Sequence, residues 1–199
     1  STFSEVLLKY FKSKKFKKNK NKIVLIGNRN LFEKQMIKLN YKFFINEITN
    51  IEKSSSKLIN IINVDYKFKK IFTKITTSSS KYIENCFDLS LKLIKYHKLS
   101  KLINGPISKK HFLKKKYPGV TEYVFQKSKE KKSINPIMLI YNKNLSVSPI
   151  TTHVPLKNVS KMIKKSLIVN NTLHINQFYK NKLKKKPKIA ILGLNPHCE

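Results

Sequence analysis

The 199-residue sequence has no tryptophan, four glycines, two cysteines and, among its 43 basic residues, one arginine, Arg29. Two cysteines, Cys86 and Cys198, are too few for a disulfide framework, and a reducing cytoplasm is the simplest setting for them. No apolar run approaches the ~20 residues that a membrane-spanning helix needs. The first 20 residues also lack the basic-then-apolar order of an export signal. We therefore expect a cytoplasmic protein without a membrane anchor.

Acidic residues are scarce as well, since 10 Asp and Glu face 43 Lys and Arg and leave a net charge of +33. Clustered positive charge is typical of proteins that bind nucleic acids, because it neutralises phosphates. Arginine, however, makes the bidentate contacts with phosphates and bases, and here lysines are spread along the whole chain among Asn and Ile. An AT-rich genome gives solvent-exposed surfaces this composition whatever the function. We favour that interpretation, and a lysine-rich nucleic-acid-binding protein is the alternative.

The spacing of apolar residues predicts alternating helices and strands. Helices show apolar residues three or four positions apart, whereas short β-branched runs are typical of buried strands. In the first half we predict helices over 4–16, 30–40 and 78–99, the last capped by Ser78 to Ser80, and strands over 22–28 and 57–64. This alternation favours a layered α/β/α domain with a mostly parallel sheet.

The second half adds a predicted antiparallel hairpin to this layered fold. Residues 136–142 and 145–153 are two β runs joined by a turn-like Asn-Lys-Asn. Helices over 156–170 and 172–186, the second capped by Thr172, and a strand over 188–194 complete the chain. Because no repeat and no Pro- or Gly-rich linker divides the sequence, we predict one α/β domain over 1–199.

Two of the five histidines, His153 and His197, follow strand-like runs and adjoin proline-bearing turns. Open parallel sheets bind ligands at the carboxyl ends of their strands, and imidazoles delivered there are suited to a shared divalent metal ion. Two loop histidines are nevertheless more often unrelated than joint ligands, and a stable metal site needs further ligands. The other three histidines are expected on helix surfaces: His97, His111 and His174.

Two turn-to-helix junctions are candidate substrate contacts. In residues 104–110 a Gly-Pro turn follows a strand-like stretch, Ser108 begins a helix whose N–H groups suit an anion, and Lys109 adds positive charge. In residues 117–125 Thr121 begins a helix, with Glu122 in the first turn. A plain junction with a capping side chain explains both stretches, so the residues alone leave both alternatives open.

Four stretches, taken in order, resemble the 4-hydroxythreonine-4-phosphate dehydrogenase family of pyridoxal phosphate synthesis: NGPISKKHF, YPGVTEYVFQKS, TTHVPLKNVSKMI and KIAILGLNPHCE. The corresponding family stretches are a Gly-Pro-x-x-Lys turn, Gly-His-Thr-Glu, Thr-Thr-His-x-Pro-Leu and Gly-Leu-Asn-Pro-His-Ala-Gly-Glu. The resemblance covers nearly the whole chain and is most specific in TTHVPL and GLNPH. It implies a fold like that of isocitrate and isopropylmalate dehydrogenases, incomplete here, and hence a partial catalytic domain.

The resemblance also implies a reaction and its site. Family members oxidise the C3 hydroxyl of 4-phosphooxy-L-threonine, a small phosphorylated hydroxy amino acid, with NAD, and the product loses CO₂ to give 3-amino-2-oxopropyl phosphate. A divalent cation, zinc, magnesium or cobalt, would be held by His153, His197 and a third histidine. Thr121 corresponds to a substrate-contacting Thr, and Lys109 is a further candidate contact. Val120 stands where the family has His, which puts one phosphate contact in doubt.

Three further expectations follow from the resemblance. The third histidine lies in a later His-Asp-Gln-Gly stretch of the family, so we expect residues 1–199 to be an internal fragment that is inactive alone. Cys198 follows His197 where the family commonly has Ala, and this thiol is a possible soft ligand. Family members are homodimers, and we expect the full-length protein to dimerise too.

Overall fold

The computed structural model describes residues 2–73, 75–99, 101–113, 116–117, 119–128 and 136–194. The chain forms two compact units, Ser1–Glu130 and Lys131–Glu199. Within the described ranges, no helix has the length and apolar content that crossing a lipid bilayer requires.

A three-stranded parallel sheet lies at the centre of the first unit. Its strands are β1 (Val24–Gly27), β2 (Ile45–Glu47) and β3 (Ile59–Asn63), in the order β1-β3-β2. β3 is the middle strand, and its residues Ile59 to Ile62 are all buried, as a strand covered on both faces requires. The predicted strands over 22–28 and 57–64 and the parallel arrangement are confirmed, whereas β2 was not predicted.

The first helices of the unit share an apolar core with this sheet: α1 (Thr2–Lys12), α2 (Lys14–Lys17) and α3 (Arg29–Lys38). The side chain of Ser13 caps α2, and that of Asn28 caps α3 by accepting a hydrogen bond from the Leu31 N–H at 2.9 Å. The helices and the sheet share one apolar core: Leu8, Phe11, Phe16, Phe32, Met36, Ile45, Ile59 and Ile61. Complete burial of a side chain such as Leu8 stabilises the unit by about 1.5–3 kcal/mol.

Three further helices complete the first unit: α4 (Thr77–Tyr96), α5 (Lys109–Phe112) and α6 (Val120–Ser128). The predicted cap of α4 is corrected, because Thr76 and not Ser78 to Ser80 caps it: the Thr76 hydroxyl accepts from the Ser79 N–H, and the Ser79 hydroxyl accepts from the Thr76 N–H. The serines lie in the first turn, since the chain becomes helical directly after Thr76.

The stretch before the Gly-Pro turn also differs from expectation. Residues 101–104 form no strand, because no described backbone pairs with them, and Ile103 is exposed.

The second unit contains α7 (Leu156–Met162) and α8 (Lys165–Phe178), followed by a turn of π-helix over Tyr179–Leu183. The two predicted helices over 156–170 and 172–186 are wrong in their boundaries, because the helical path breaks at Ile163 and Lys164. Thr172 therefore lies inside α8 and caps nothing.

The predicted β segments of the second unit are only partly paired. Ile140 and Val147 form one antiparallel bridge with two backbone hydrogen bonds of 2.8 and 3.0 Å. A full hairpin over 136–153 remains a prediction. The predicted strand over 188–194 is wrong for the described residues, because this segment pairs with no described backbone and exposes Ile191 and Leu192.

Candidate functional site

Polar side chains join the carboxyl ends of all three strands. Asn28 and Arg29 follow β1, and the Arg29 N–H donates to Oδ1 of Asn63 at the end of β3, at 2.9 Å. The Arg29 guanidinium donates to Glu47 at the end of β2, at 2.7 Å, and to Glu33 one turn along α3, at 2.9 Å. These carboxylates raise the pKa of Arg29 above its usual value. Arg29 thus connects the three described strands at their carboxyl ends, which is the side of the sheet where open α/β folds bind ligands.

A half-buried tyrosine from α4, Tyr82, reaches the same end of the sheet. The Tyr82 hydroxyl accepts a hydrogen bond from the Asn28 N–H at 2.7 Å, and a Cβ on Gly27 would lie 2.9 Å from that oxygen. Burial raises the pKa of Tyr82. Burial also raises the pKa of the Cys86 thiol, one turn further along α4, to about 11. At neutral pH both groups are therefore protonated, and Tyr82 acts as a fixed contact to the end of β1.

The Gly-Pro turn is held against α1. A Cβ on Gly105 would lie 2.3 Å from Cγ of Phe3, so only glycine allows this approach. Ser108 precedes α5, but its hydroxyl makes no helix cap and lies 2.9 Å from Nδ1 of His111. Lys109, the candidate substrate contact, is the first residue of α5 and is exposed.

Thr121 lies where the sequence predicts it, in the first turn of α6, and is exposed. Val120 begins the helix and is half-buried against an apolar cluster, so it presents no polar group at this position. Tyr123, one turn into α6, belongs to the buried part of that cluster.

The cluster brings α5 and α6 together on α4. Its buried members are Phe87 of α4, Leu113 directly after α5, and Tyr123 of α6. The ring centres of Phe87 and Tyr123 lie 5.4 Å apart. Lys127 adds ion pairs to Glu84 and Asp88 of α4 at 3.1 and 3.2 Å. The helices that carry Lys109 and Thr121, α5 and α6, thus both pack on α4.

His153 belongs to the second unit, in the turn before α7. It is exposed, its φ is 54°, and none of the described residues hydrogen-bonds its ring. Its partner in the prediction, His197, and the adjacent Cys198 lie outside the described residues. Within the described part of the chain, no group of three His, Cys, Asp or Glu side chains is arranged for a metal ion. The pairing of His153 with His197 stays a prediction.

Three residues of these sites were missed by sequence reasoning: Phe3, Arg29 and Tyr82. Their partners lie 102, 18 and 54 positions away in the sequence, at Gly105, Glu47 and Asn28. The lone arginine among lysines was a usable signal, because Arg is the preferred side chain for linking several carboxylates. Phe3 and Tyr82 resemble the other aromatic residues of amphipathic helices, and nothing local distinguishes them.

The chain matches the model of a known protein family over most of its length. The model of the family described as "Pyridoxal phosphate biosynthetic protein PdxA" matches residues 19–199. The chain belongs to this family. The resemblance inferred from the sequence motifs is thereby confirmed, and the nucleic-acid-binding alternative is not favoured.

Curated relatives of the PdxA family match almost the entire chain. A 4-hydroxythreonine-4-phosphate dehydrogenase of Sulfurihydrogenibium sp. (strain YO3AOP1) is 36% identical over 202 residues, which cover 98% of this chain and 60% of the relative. The protein of the same name from Aquifex aeolicus (strain VF5) is 30% identical over 201 residues, 98% of this chain and 59% of the relative. The chain therefore spans about three-fifths of the length of these relatives.

Solved structures share the fold. A 4-hydroxythreonine-4-phosphate dehydrogenase from Burkholderia phymatum aligns with a TM-score of 0.79 at 19% identity, over 98% of this chain and 59% of that chain. The protein from Klebsiella pneumoniae aligns with a TM-score of 0.72 at 20% identity, over 87% of this chain and 55% of that chain. At these identities the similarity establishes the α/β fold alone.

Proposed function

We propose that this chain is part of a 4-hydroxythreonine-4-phosphate dehydrogenase. The C3 hydroxyl of 4-phosphooxy-L-threonine loses its proton while C3 transfers a hydride to NAD, which becomes NADH. The resulting 3-oxo acid releases CO₂ and takes up a proton to give 3-amino-2-oxopropyl phosphate. The protein would perform this reaction as a cytoplasmic homodimer in the synthesis of pyridoxal phosphate.

The observation that supports the proposal is family membership over residues 19–199. This range includes the four stretches that carry the resemblance, from the Gly-Pro turn to the last histidine stretch. The two curated relatives that cover 98% of the chain carry the name of this activity.

In this proposal His153 and His197 are two of three metal ligands. A bound divalent cation (zinc, magnesium or cobalt) supplies Lewis-acid polarisation of the reacting oxygens. The exposed ring of His153, which has no described hydrogen-bond partner, fits this role, because a ligating imidazole needs a free nitrogen lone pair. The φ of His153 is 54°, a conformation that residues other than glycine rarely adopt and that is found more often at functional sites.

The first unit would bind the substrate phosphate. Thr121 offers a hydroxyl in the first turn of α6, where free N–H groups and the helix dipole favour an anion. Lys109 adds a positive charge at α5. Val120 contributes only apolar surface, so we expect weaker phosphate binding than a histidine at this position would give.

The test uses the complete product of the gene, because the resemblance places the third histidine and most of the NAD site beyond Glu199. We expect NADH to form from 4-phosphooxy-L-threonine, and His153→Ala to lower kcat/KM at least about 100-fold through loss of several kcal/mol of charge stabilisation. His174→Ala is the matched control, since the His174 ring already lies 2.7 Å from the Asn170 carbonyl oxygen within α8. Full activity in His153→Ala would refute the metal-site assignment, and no NADH from the unaltered protein would refute the reaction.

A further inference from the structure

The outer face of α3 carries an apolar groove in the first unit. Two shallow, wide-open depressions of about 450 and 580 Å³ meet at Ile37, whose side chain is 68% exposed. Met36 and Tyr41 line the first depression, and Phe68 and Ile71 line the second. We call these two depressions together the α3 groove. Apolar side chains grouped at the surface are typical of sites that receive another apolar group.

Lysines surround the α3 groove on every element that forms it. Lys34 and Lys38 lie on α3, Lys42 follows it, and Lys69 and Lys70 lie on the opposite side. The Lys34 ammonium lies 5.4 Å from the Phe68 ring centre, which orients it over the groove.

These five positive charges have no counterpart within the described part of the chain. None of them forms an ion pair with a described carboxylate. Glu33, the acidic residue that lines the groove, already accepts from the Arg29 guanidinium at 2.9 Å. The groove therefore combines an apolar floor with a positive rim that none of the described carboxylates neutralises.

We propose that the α3 groove docks an acidic peptide segment of another protein, with one large apolar side chain seated beside Ile37 and Phe68. Acidic side chains around that anchor would pair with the rim lysines, which is the arrangement of an apolar interface core with a charged rim. Nucleic acid suits the groove less well, because the single arginine of the chain is already engaged with Glu33 and Glu47.

The test measures fluorescence anisotropy of a labelled amphipathic Glu/Leu peptide with the full chain. A Glu-only peptide of equal charge serves as the comparison for non-specific attraction. We expect the Glu/Leu peptide to bind at least about tenfold more tightly, because seating one leucine is worth about that factor. Ile37→Ser should remove this advantage and leave binding of the Glu-only peptide unchanged; because Ile37 is exposed, the fold should remain intact.

Two matched charge-reversed variants distinguish binding at the α3 groove from attraction to the general positive charge of the protein. The double variant Lys34→Glu with Lys38→Glu should bind the Glu/Leu peptide at least about tenfold more weakly. The control, Lys157→Glu with Lys161→Glu, has the same spacing on the exposed α7 and should change the affinity for this peptide by no more than about twofold.

Four outcomes would overturn the proposal. The first is equal affinity for the two peptides, and the second is an equal loss of Glu/Leu peptide binding in both charge-reversed variants. The third is an Ile37→Ser variant that binds the Glu/Leu peptide as tightly as the unaltered chain does. The fourth is a competition experiment in which single-stranded RNA or phosphatidylserine vesicles displace the labelled peptide and unlabelled Glu/Leu peptide does not. Sedimentation that shows a dimer dissociated by Ile37→Ser would instead assign the groove to a second copy of the chain. None of these measurements depends on dehydrogenase activity.

Discussion

The side-chain amide of Asn46 on β2 donates a hydrogen bond to Oδ1 of Asn60 on β3, at 3.0 Å. Asn60 is completely buried, and the same oxygen accepts from the Ser55 N–H at 2.9 Å. Its amide nitrogen faces three carbonyl oxygens at 2.8 to 3.1 Å, those of Ile23, Ser55 and Leu58. One fully satisfied polar side chain thus connects the residues before β1, the middle of β2 and the loop before β3.

Replacing Asn60 should therefore be costly. We expect Asn60→Leu to lower the free energy of unfolding by at least about 2 kcal/mol, because buried carbonyl and N–H groups lose their partners. Asn46→Ala removes one of these bonds and should cost about 0.5–1.5 kcal/mol. Urea denaturation of both variants measures the difference. Equal stability of Asn60→Leu and the unaltered chain would contradict the role assigned to this side chain.

Two tyrosines, the buried Tyr123 and the half-buried Tyr82, should respond in opposite directions to loss of the hydroxyl. The Tyr123 hydroxyl is buried without a hydrogen-bond partner among the described residues, and burial raises the pKa of Tyr123 to about 12. Tyr123→Phe should therefore leave stability unchanged or raise it by up to about 1 kcal/mol. Tyr82→Phe, which deprives the Asn28 N–H of its acceptor, should cost about 1–2 kcal/mol. Thermal unfolding of the two variants side by side makes the comparison, and a destabilised Tyr123→Phe variant would reveal a partner for that hydroxyl.

Burial of Cys86 predicts both its reactivity and a pH dependence. Since the pKa of this thiol is raised from 9.0 to about 11, folding favours the neutral form. The stabilisation is present below pH 9 and is lost as the pH rises from 9 towards 11, because the unfolded thiol ionises first. We expect the decline in stability over this window to be reduced in Cys86→Ala.

The same thiol should react slowly. In a Cys198→Ser background, Cys86 should react with a disulfide reagent at pH 8 at least about tenfold more slowly than the same chain after denaturation, because the thiolate is rare and access is limited. Equal rates in the folded and denatured chain would show that the thiol is accessible and its burial is not maintained in solution.

The contact of Gly105 with Phe3 predicts a coupled pair of substitutions. Gly105→Ala alone should lower the free energy of unfolding by about 1–3 kcal/mol, because the new Cβ overlaps the Phe3 ring. Phe3→Ala removes the ring, so adding Gly105→Ala to that variant should cost clearly less than it does in the unaltered chain. A double-mutant cycle of denaturation midpoints measures this coupling. Additive effects would mean that the turn and α1 are not in contact.

Sequence patterns predicted the elements whose own residues determine them. β1 and β3 are short β-branched runs, and α4 carries a stripe of apolar residues, so local periodicity was sufficient. β2 was missed because Ile45–Glu47 contains only three residues with a polar one in the middle, and pairing with β3 defines it. The segment 188–194 shows the opposite error, since its apolar sequence suits a strand but no described strand pairs with it.

The candidate site was predictable to a similar extent. Thr121 lies at the start of a helix because the local sequence begins one there, and the family resemblance rested on contiguous motifs. The contacts of Phe3 and Tyr82 depend on residues distant in the sequence, and no periodicity encodes them. The sharing of a metal ion by His153 and His197 remains a prediction.

The strand order β1-β3-β2 has a consequence for the growing chain on the ribosome. β1 and β2 both precede β3 in the sequence, yet among the described residues neither pairs with the other, and each pairs with β3 alone. A nascent chain that ends before Ile59 therefore lacks the backbone with which both β1 and β2 pair. The described sheet can form only after residues 59–63 have left the exit tunnel, because β3 supplies the hydrogen-bond partners of both neighbours.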